Sequence, residues 1–423
     1  MIAMAQHRIV MAEETLVQRI EVDSWGNRKL SLTRRAGAVE RSLQRGESVQ
    51  WREAESFEKA AAEADLHGGK SAGSRLPPPL DPGLTMRQQR PLLEALASLD
   101  LDQWTMVIRS FRQHRLVRGR SGAEHNVVHC HEGLHLRGRI LPGDREIEVG
   151  EGRLPGESFN RDGLLQRLRG VVENRRRARP FNGSLSLPVV LAAGDGGIIW
   201  HELMGHSLEG DHVLSGDSPL SPDDIGRRVM SQEVTLSARC ETDPFLSRKL
   251  RDDEGETCRH HRLIEDGVLR RFICDGSTGK RLGVPERGHA RQESFDRPVL
   301  PRMFALYLRP GKASFEDVLG SVRRGIYAAE FGLGRVLFRK GRFAFYIPSA
   351  FLIENGRLGP PLGPVMVQGD LKTAFRAVSM VGDDFRLDRG ISFCHKRGQV
   401  LHVRVGQPTV RVDGLTVSPG VAE

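Results

Sequence analysis

The sequence predicts an α+β protein: an N-terminal mixed α/β region over residues 1–180, then a large, mainly antiparallel β region over residues 181–423 that carries one metal-binding helix. Three observations lead there. Period-two alternation runs through residues 104–152 and again from residue 212 toward the C-terminus, as half-buried strands require. Turn signals such as Glu265-Asp266-Gly267, Glu354-Asn355-Gly356 and Val412-Asp413-Gly414 punctuate the later stretch in the manner of hairpins. Helical periodicity, by contrast, is confined to a few segments, and one of these is an apolar run over 198–211 that carries two histidines and a glutamate.

Taken in order, residues 8–50 read as short alternating segments, Leu30-Ser31-Leu32-Thr33 among them, and the Ala/Glu-rich stretch 53–66 as an amphipathic helix. Gly, Ser and Pro dominate from Gly68 to Gly83, which marks a flexible linker near 67–84. Its Gly69-Lys70-Ser71 lacks the glycine spacing and the strand-to-helix setting of a phosphate loop. A helix is expected over 87–99, successive strands over 104–152, and a helix from Arg161 to Arg179 with apolar positions between Leu164 and Val172. The last of these closes on Arg175-Arg176-Arg177-Ala178-Arg179, cations that suit a helix C-terminus, and stops at Pro180. The second region opens with a strand from Ser186 that leads into Gly194-Asp195-Gly196-Gly197, where Asp195 is placed to cap the motif helix. Beyond it one helix, Ser314 to Arg324, is expected among strands.

Composition narrows the function classes. The chain has 423 residues, 39% of them hydrophobic, and no stretch approaches the ~20 apolar residues of a membrane span. Met1-Ile2-Ala3-Met4-Ala5-Gln6-His7-Arg8 lacks a basic head followed by an apolar core, so no signal peptide is expected and the cytoplasm is the default location. Five scattered cysteines do not read as a disulfide framework; Cys240, Cys258 and Cys274 lie in polar, strand-like stretches and are expected to be free thiols. The net charge of +9 is mostly arginine interleaved with Asp and Glu, which describes a solvated surface rather than a nucleic-acid stripe.

The chemistry concentrates in Ile198-Ile199-Trp200-His201-Glu202-Leu203-Met204-Gly205-His206-Ser207-Leu208-Glu209-Gly210-Asp211. Two neutral imidazoles are typical ligands of a catalytic zinc, and a carboxylate beside them can take the proton from the water that attacks a carbonyl. Metal-assisted hydrolysis is the first hypothesis. The histidines stand five apart, however, and five residues advance an α-helix by roughly 140° beyond a turn, so the rings would diverge. A π-widened turn makes i and i+5 neighbours, and Gly205 lowers the cost of the distortion. Spacing alone leaves equally open a pair of histidines that face core and solvent. A rival motif, His131-Glu132-Gly133-Leu134-His135, has the short zinc-protease spacing, but its flanks alternate as a strand and Leu141 stands where a longer pattern wants a third histidine. Surface histidines on a β-hairpin are expected there.

Near the C-terminus, Ser379-Met380-Val381-Gly382-Asp383-Asp384-Phe385, Phe393-Cys394-His395-Lys396-Arg397-Gly398-Gln399 and Val405-Gly406-Gln407-Pro408-Thr409 resemble the TldD/PmbA family of metalloproteases. With the His-Glu-x-x-x-His segment and Leu208-Glu209-Gly210-Asp211 after it, the likeness extends over roughly residues 185–420. The resemblance implies zinc as cofactor, His201, His206 and Cys394 as its ligands, and Glu202 as general base. It also implies peptide or unfolded polypeptide substrates, and a dimer either of this chain or with a metal-free family relative. The bottom-up chemistry agrees, since two imidazoles and one thiolate leave the fourth position of a tetrahedral zinc open. Glu209 is expected behind His206 rather than on the metal. His395 and His402 are expected to face solvent, Asp383 and Asp384 to make a turn, and Trp200 to sit in the core. The chain departs from the family pattern at His395, at Phe304-Ala305-Leu306 and at Gly332-Leu333-Gly334-Arg335-Val336-Leu337. A binding scaffold or a peptide natural-product tailoring protein is therefore the alternative function.

Overall fold

The computed structural model describes residues 8–42, 48–63, 80–118, 123–140, 145–153, 157–239, 251–284 and 288–420. Alternating sequence in the first region builds one antiparallel sheet from β1 (Arg8–Asp23), β2 (Arg28–Ser42), β3 (Ser48–Ala54), β4 (Gln103–Arg118), β5 (Glu124–Ile140) and β6 (Arg145–Arg153), in the order β3-β2-β1-β4-β5-β6. The short segments expected over 8–50 are thus long strands, because pairing with β4 carries β1 through positions whose own pattern is broken by charge. The predicted 53–66 helix is α1 (Phe57–Glu63), since residues 53 and 54 still pair in β3; residues 64–66 and most of the predicted linker lie outside the described residues. The predicted 87–99 helix is two, α2 (Pro82–Gln88) and α3 (Arg90–Ser98), because Pro91 brings no amide hydrogen and opens a new helix after Gln89.

Helix α4 (Arg161–Arg177) is capped by Asn160, which accepts from the Gly163 amide, and it lays Leu164, Leu168 and Val172 against Ile108, Leu134 and Leu136 of the sheet. Its basic end is tied down: Arg175 pairs with Glu330 at 3.5 Å and Arg176 donates to the Leu99 and Asp100 carbonyls.

In the second region β7 (Leu185–Leu191) lies inside a nine-stranded sheet, between Val410–Pro419 on one side and Arg324–Glu330, to which it is parallel, on the other. A six-stranded sheet centred on Leu236–Arg239, Ala305–Leu308 and Arg404–Gln407 packs against it. The predicted helix at 314–324 is Phe315–Gly320, and two helices that alternation had hidden are Gly276–Leu282 and Leu371–Arg376. Each of the hidden pair starts at an aspartate, Asp275 or Asp370, whose carboxylate accepts from the amide three residues on. Cys258 and Cys274 form no disulfide, and both are buried in apolar clusters rather than the expected polar surroundings; Cys240 lies outside the described residues. Among the described residues no helix is long and apolar enough to cross a membrane.

The two regions are stapled by Arg115 of β4, whose side chain is 2% exposed. It donates to Glu13 at 2.9 Å, to Asp253 at 2.6 Å and to the Gln292 carbonyl at 2.9 Å. Replacing it leaves two buried carboxylates without a cation, so Arg115→Leu is expected to cost about 3–5 kcal/mol. Urea denaturation reads this as a lower midpoint, and an unmoved midpoint would show that the staple contributes nothing.

Candidate metal centre

From β7 the chain turns at Gly194, where φ is 83°, into a four-residue α-helical turn, Gly197–Trp200, then a π turn, His201–Gly205, and a 3-10 turn, His206–Leu208. Asp195 does not cap this segment. Gly196 occupies the cap position, and the Asp195 carboxylate is drawn away to Arg389, accepting from its amide at 3.3 Å and pairing with its guanidinium at 3.2 Å. Trp200, Leu203, Met204 and Leu208 are all buried between the two sheets. Side chains such as Leu203 and Leu208 contribute roughly 1.5–3 kcal/mol each when fully buried. That outweighs the α-helical hydrogen bond lost in widening a turn, about 1 kcal/mol net.

In the π turn the His206 amide reaches the His201 carbonyl, five residues back, and both rings come to one side with centroids 5.1 Å apart. Gly205 serves this turn differently from the expectation. Its φ of −56° is ordinary helix, and what requires glycine is space: a Cβ would lie 2.2 Å from Met303 Sδ and 3.2 Å from Leu306 Cδ2.

Cys394 arrives on a two-stranded hairpin, Phe393–Lys396 with Gln399–His402, closed by Arg397 and Gly398 at φ of 49° and 73°. Positive φ at both central residues is what a tight hairpin turn needs. Although 188 residues separate them, Cys394 Sγ lies 3.4 Å from His206 Nε2. One ligating atom from each of His201, His206 and Cys394 falls within 4.8 Å of the others, and all three residues are buried. Burial alone pushes the Cys394 thiol up, but the imidazoles of His206 and His201 outweigh it and hold the group well below the usual thiol range. Among the described residues, neither ring nitrogen of the fully buried His201 has a hydrogen-bond partner. Buried polar atoms are rarely left so. An orphaned imidazole, a second imidazole and a thiolate converging on one point fit a zinc ion with an open position.

Glu202 stands on the open side, its side chain 30% exposed and its carboxylate 3.9 Å from His206 Nε2. Behind the centre, Glu209 Oε2 sits 2.7 Å from His206 Nδ1, leaving Nε2 turned toward Cys394. Burial would raise the Glu209 carboxyl, yet His206 and Lys396 hold it far below the carboxylate range. Lys396 Nζ donates to Glu209 at 2.8 Å, to Asp211 at 2.7 Å and to the Pro301 carbonyl at 3.2 Å. This ammonium fills the only other cluster of metal-ligating side chains among the described residues, Glu209, Asp211 and His212. Arg302, wholly buried, donates to the Cys394 carbonyl at 2.8 Å. Sequence reasoning missed both cations. For Lys396 the signal was strand alternation, which sends residues 394 and 396 to one face. Glu209→Gln keeps the size but removes the charge that steadies His206, and is expected to weaken zinc binding by about 10–100-fold in a chelator competition; an unchanged affinity would leave Glu209 a purely structural residue.

The rival motif lies on β5 and is no zinc helix. Glu132 is spent on Arg112 and Arg153, at 2.9 and 2.7 Å. His131 is buried, not on the surface, with its ring 4.4 Å from that of His402. His402 is likewise turned inward, Nε2 on the Gly390 carbonyl at 3.0 Å, while His395 is exposed as expected. These differences arise because the hairpin packs on the first sheet, which no local pattern reports. Asp384 does more than turn the chain, accepting from the Thr409 amide and hydroxyl at 2.8 and 2.7 Å.

Residues 184–419 match a family model described as the PmbA/TldA metallopeptidase C-terminal domain. A metalloprotease TldD homolog of Haemophilus influenzae is 37% identical over 231 residues, 55% of this chain and 48% of that protein. A zinc metalloprotease TldD homolog of Saccharolobus solfataricus is 32% identical over 248 residues, 58% of this chain and 54% of that one. The match thus spans about half the length of each relative. In fold the likeness is wider: TldE from Thermococcus kodakarensis superposes over 97% of this chain and 96% of its own, with a TM-score of 0.69 at 16% identity.

Proposed function

The chain belongs to the PmbA/TldD metallopeptidase family, and from that premise we propose that it is a zinc-dependent peptidase acting on small or unfolded polypeptides. The observation that carries this reading is the convergence of His201, His206 and Cys394 with Glu202 at the open rim. A zinc ion held by those three side chains would supply a Lewis acid that polarises the scissile carbonyl. Glu202 takes the proton of the attacking water and delivers it to the leaving amine. Because the Cys394 thiolate neutralises part of the ion's charge, more of the activation falls to that carboxylate. Glu209 and Lys396 keep His206 in one tautomer and one orientation.

Substrate enters as an added strand. The edge strand of the nine-stranded sheet, Gly334–Leu337, lies against the π turn. An extended peptide pairing there is read through its main chain, which suits unfolded polypeptides of varied sequence. Assembly as a homodimer, or with a metal-free family relative, belongs to the same proposal, as does a reducing compartment such as the cytoplasm, in which a thiolate ligand survives.

The test is incubation of the purified chain, its zinc content measured, with a reduced and alkylated unfolded protein, followed by mass spectrometry. Fragments that vanish with 1,10-phenanthroline and return with zinc are expected. Zinc-loaded protein that cuts nothing would favour the scaffold or tailoring reading, to which the departures at Phe304, buried beneath Arg291, and at the exposed Leu337 lend weight.

A further inference from the structure

Between Phe331 and Phe343 the chain holds four cations, Arg335, Arg339, Lys340 and Arg342, and no carboxylate. This stretch contains the strand Gly334–Leu337, which pairs along one side with Arg342–Ile347 and, among the described residues, with nothing along the other. Its end lies close to the metal-ligating side chains. The centroid of the His212 ring stands 5.7 Å from that of Phe338 and 6.0 Å from that of His206.

Alternation sorts the side chains of this strand. Val336 packs inward on the core between the two sheets, so Arg335 and Leu337 turn to the outer face. Leu333 joins them, because its carbonyl accepts from the Tyr346 amide at 3.0 Å and the ladder continues one residue before the strand. Leu333 is 90% and Leu337 41% exposed. Between them the exposed Arg335 forms no hydrogen bond or ion pair among the described residues, and the residue across from it is the small Ala344. Arg339 is drawn to Asp217, while Arg342, across from Leu337, is exposed and likewise without an ion pair among the described residues.

Charge alone is a common way to keep an edge strand from pairing with another chain. It gives no reason to hold a leucine in water on each side of the charge. An unpaired edge offers main-chain hydrogen bonds to an extended peptide, and the side chains beside it decide what is accepted at alternate positions. We infer that, on the peptidase reading of this site, the outer face of Gly334–Leu337 selects substrates that carry an acidic residue with an apolar residue two positions away on each side. The carboxylate lies against Arg335 and the apolar pair against Leu333 and Leu337. Main-chain pairing admits the extended chain, and Arg335 is the specificity-determining residue that ranks acidic segments above basic ones.

Competition cleavage by the zinc-loaded full chain tests this with three acetylated, amidated peptides, Ala-Ala-Val-Thr-X-Thr-Val-Ala-Ala, in which X is Glu, Gln or Lys. Mass spectrometry reads their relative kcat/KM. The wild type is expected to prefer Glu over Lys by roughly tenfold, with Gln between, since opposite charges across a strand pair attract and like charges repel. Arg335→Glu should reverse the order. Arg357→Glu, an exposed position on the opposite edge strand of the same sheet, should keep the wild-type order. Fluorescence anisotropy of the same peptides, labelled and titrated with the Glu202→Gln chain, reads binding apart from cleavage. Equal cleavage of the three, an order that survives Arg335→Glu, or one that Arg357→Glu also reverses overturns the inference and leaves the peptidase standing. Glu-over-Lys binding with no cleavage by the wild type retires the peptidase and keeps the surface; neither binding nor cleavage retires both.

Discussion

Glu202→Gln is expected to lower the rate of peptide cleavage by roughly 10²–10⁴-fold while the metal stays bound. The amide matches the carboxylate in size, and the side chain is 30% exposed with His206 at 3.9 Å as its one ion-pair partner among the described residues, so the fold is expected to survive the change. What the variant loses is a place for the proton of the attacking water. The measurement is kcat/KM on an unfolded peptide together with zinc content in the same preparation. Cleavage that persists at the wild-type rate with full zinc would remove Glu202 from the mechanism and leave the ion without a base.

The second large effect concerns the ion itself. Purified without added zinc, the wild type is expected to carry close to one zinc per chain, and Cys394→Ser and His206→Ala to carry almost none. A serine hydroxyl does not ionise as the Cys394 thiol does between two imidazoles, so it offers the metal a weaker ligand. Removing His206 takes away one imidazole and leaves Glu209 and Lys396 facing a gap. Cys274→Ser is the control, since that buried thiol lies outside the set of ligating atoms. Zinc that survives both ligand variants would place the metal elsewhere and withdraw the main support for the peptidase reading.

Only the histidine half of the candidate centre had a local signal, and its spacing left two readings open; Cys394, 188 residues from His206, came from the family resemblance. Histidines five apart share a face only if the turn widens, and the turn does widen at His201–Gly205. The spacing of Glu209, three residues past His206, suited a ligand or a partner of the imidazole, and the carboxylate lies on His206 Nδ1. Interactions between distant segments were not legible. Gly205 looked like a conformational aid, whereas Met303 dictates its size, and Asp195 looked like a cap until Arg389 claimed it. The inward turn of His131 and His402 follows from the hairpin packing on the first sheet, which alternation along either strand does not encode. In the fold, the antiparallel character of the later region could be read from its turn signals. Strand length in residues 8–42 could not, because neighbours extend a strand past breaks in its own pattern.

Among the described residues, the hairpin that delivers Cys394 pairs only with itself. Two-stranded ribbons of this kind are marginal on their own in water. Its order is borrowed from its attachments: Lys396 on Glu209 and Asp211, Arg302 on the Cys394 carbonyl, His402 stacked on His131 of the first sheet and, on the proposed reading, an ion on the thiolate. Zinc starvation would therefore be felt as more than lost chemistry. On the proposed reading, loss of the ion removes one of these attachments, and the exposed Arg397-Gly398 tip is then the place where a housekeeping protease is expected to nick the chain. Metal supply would then set the lifetime of the protein in the cell as well as its activity.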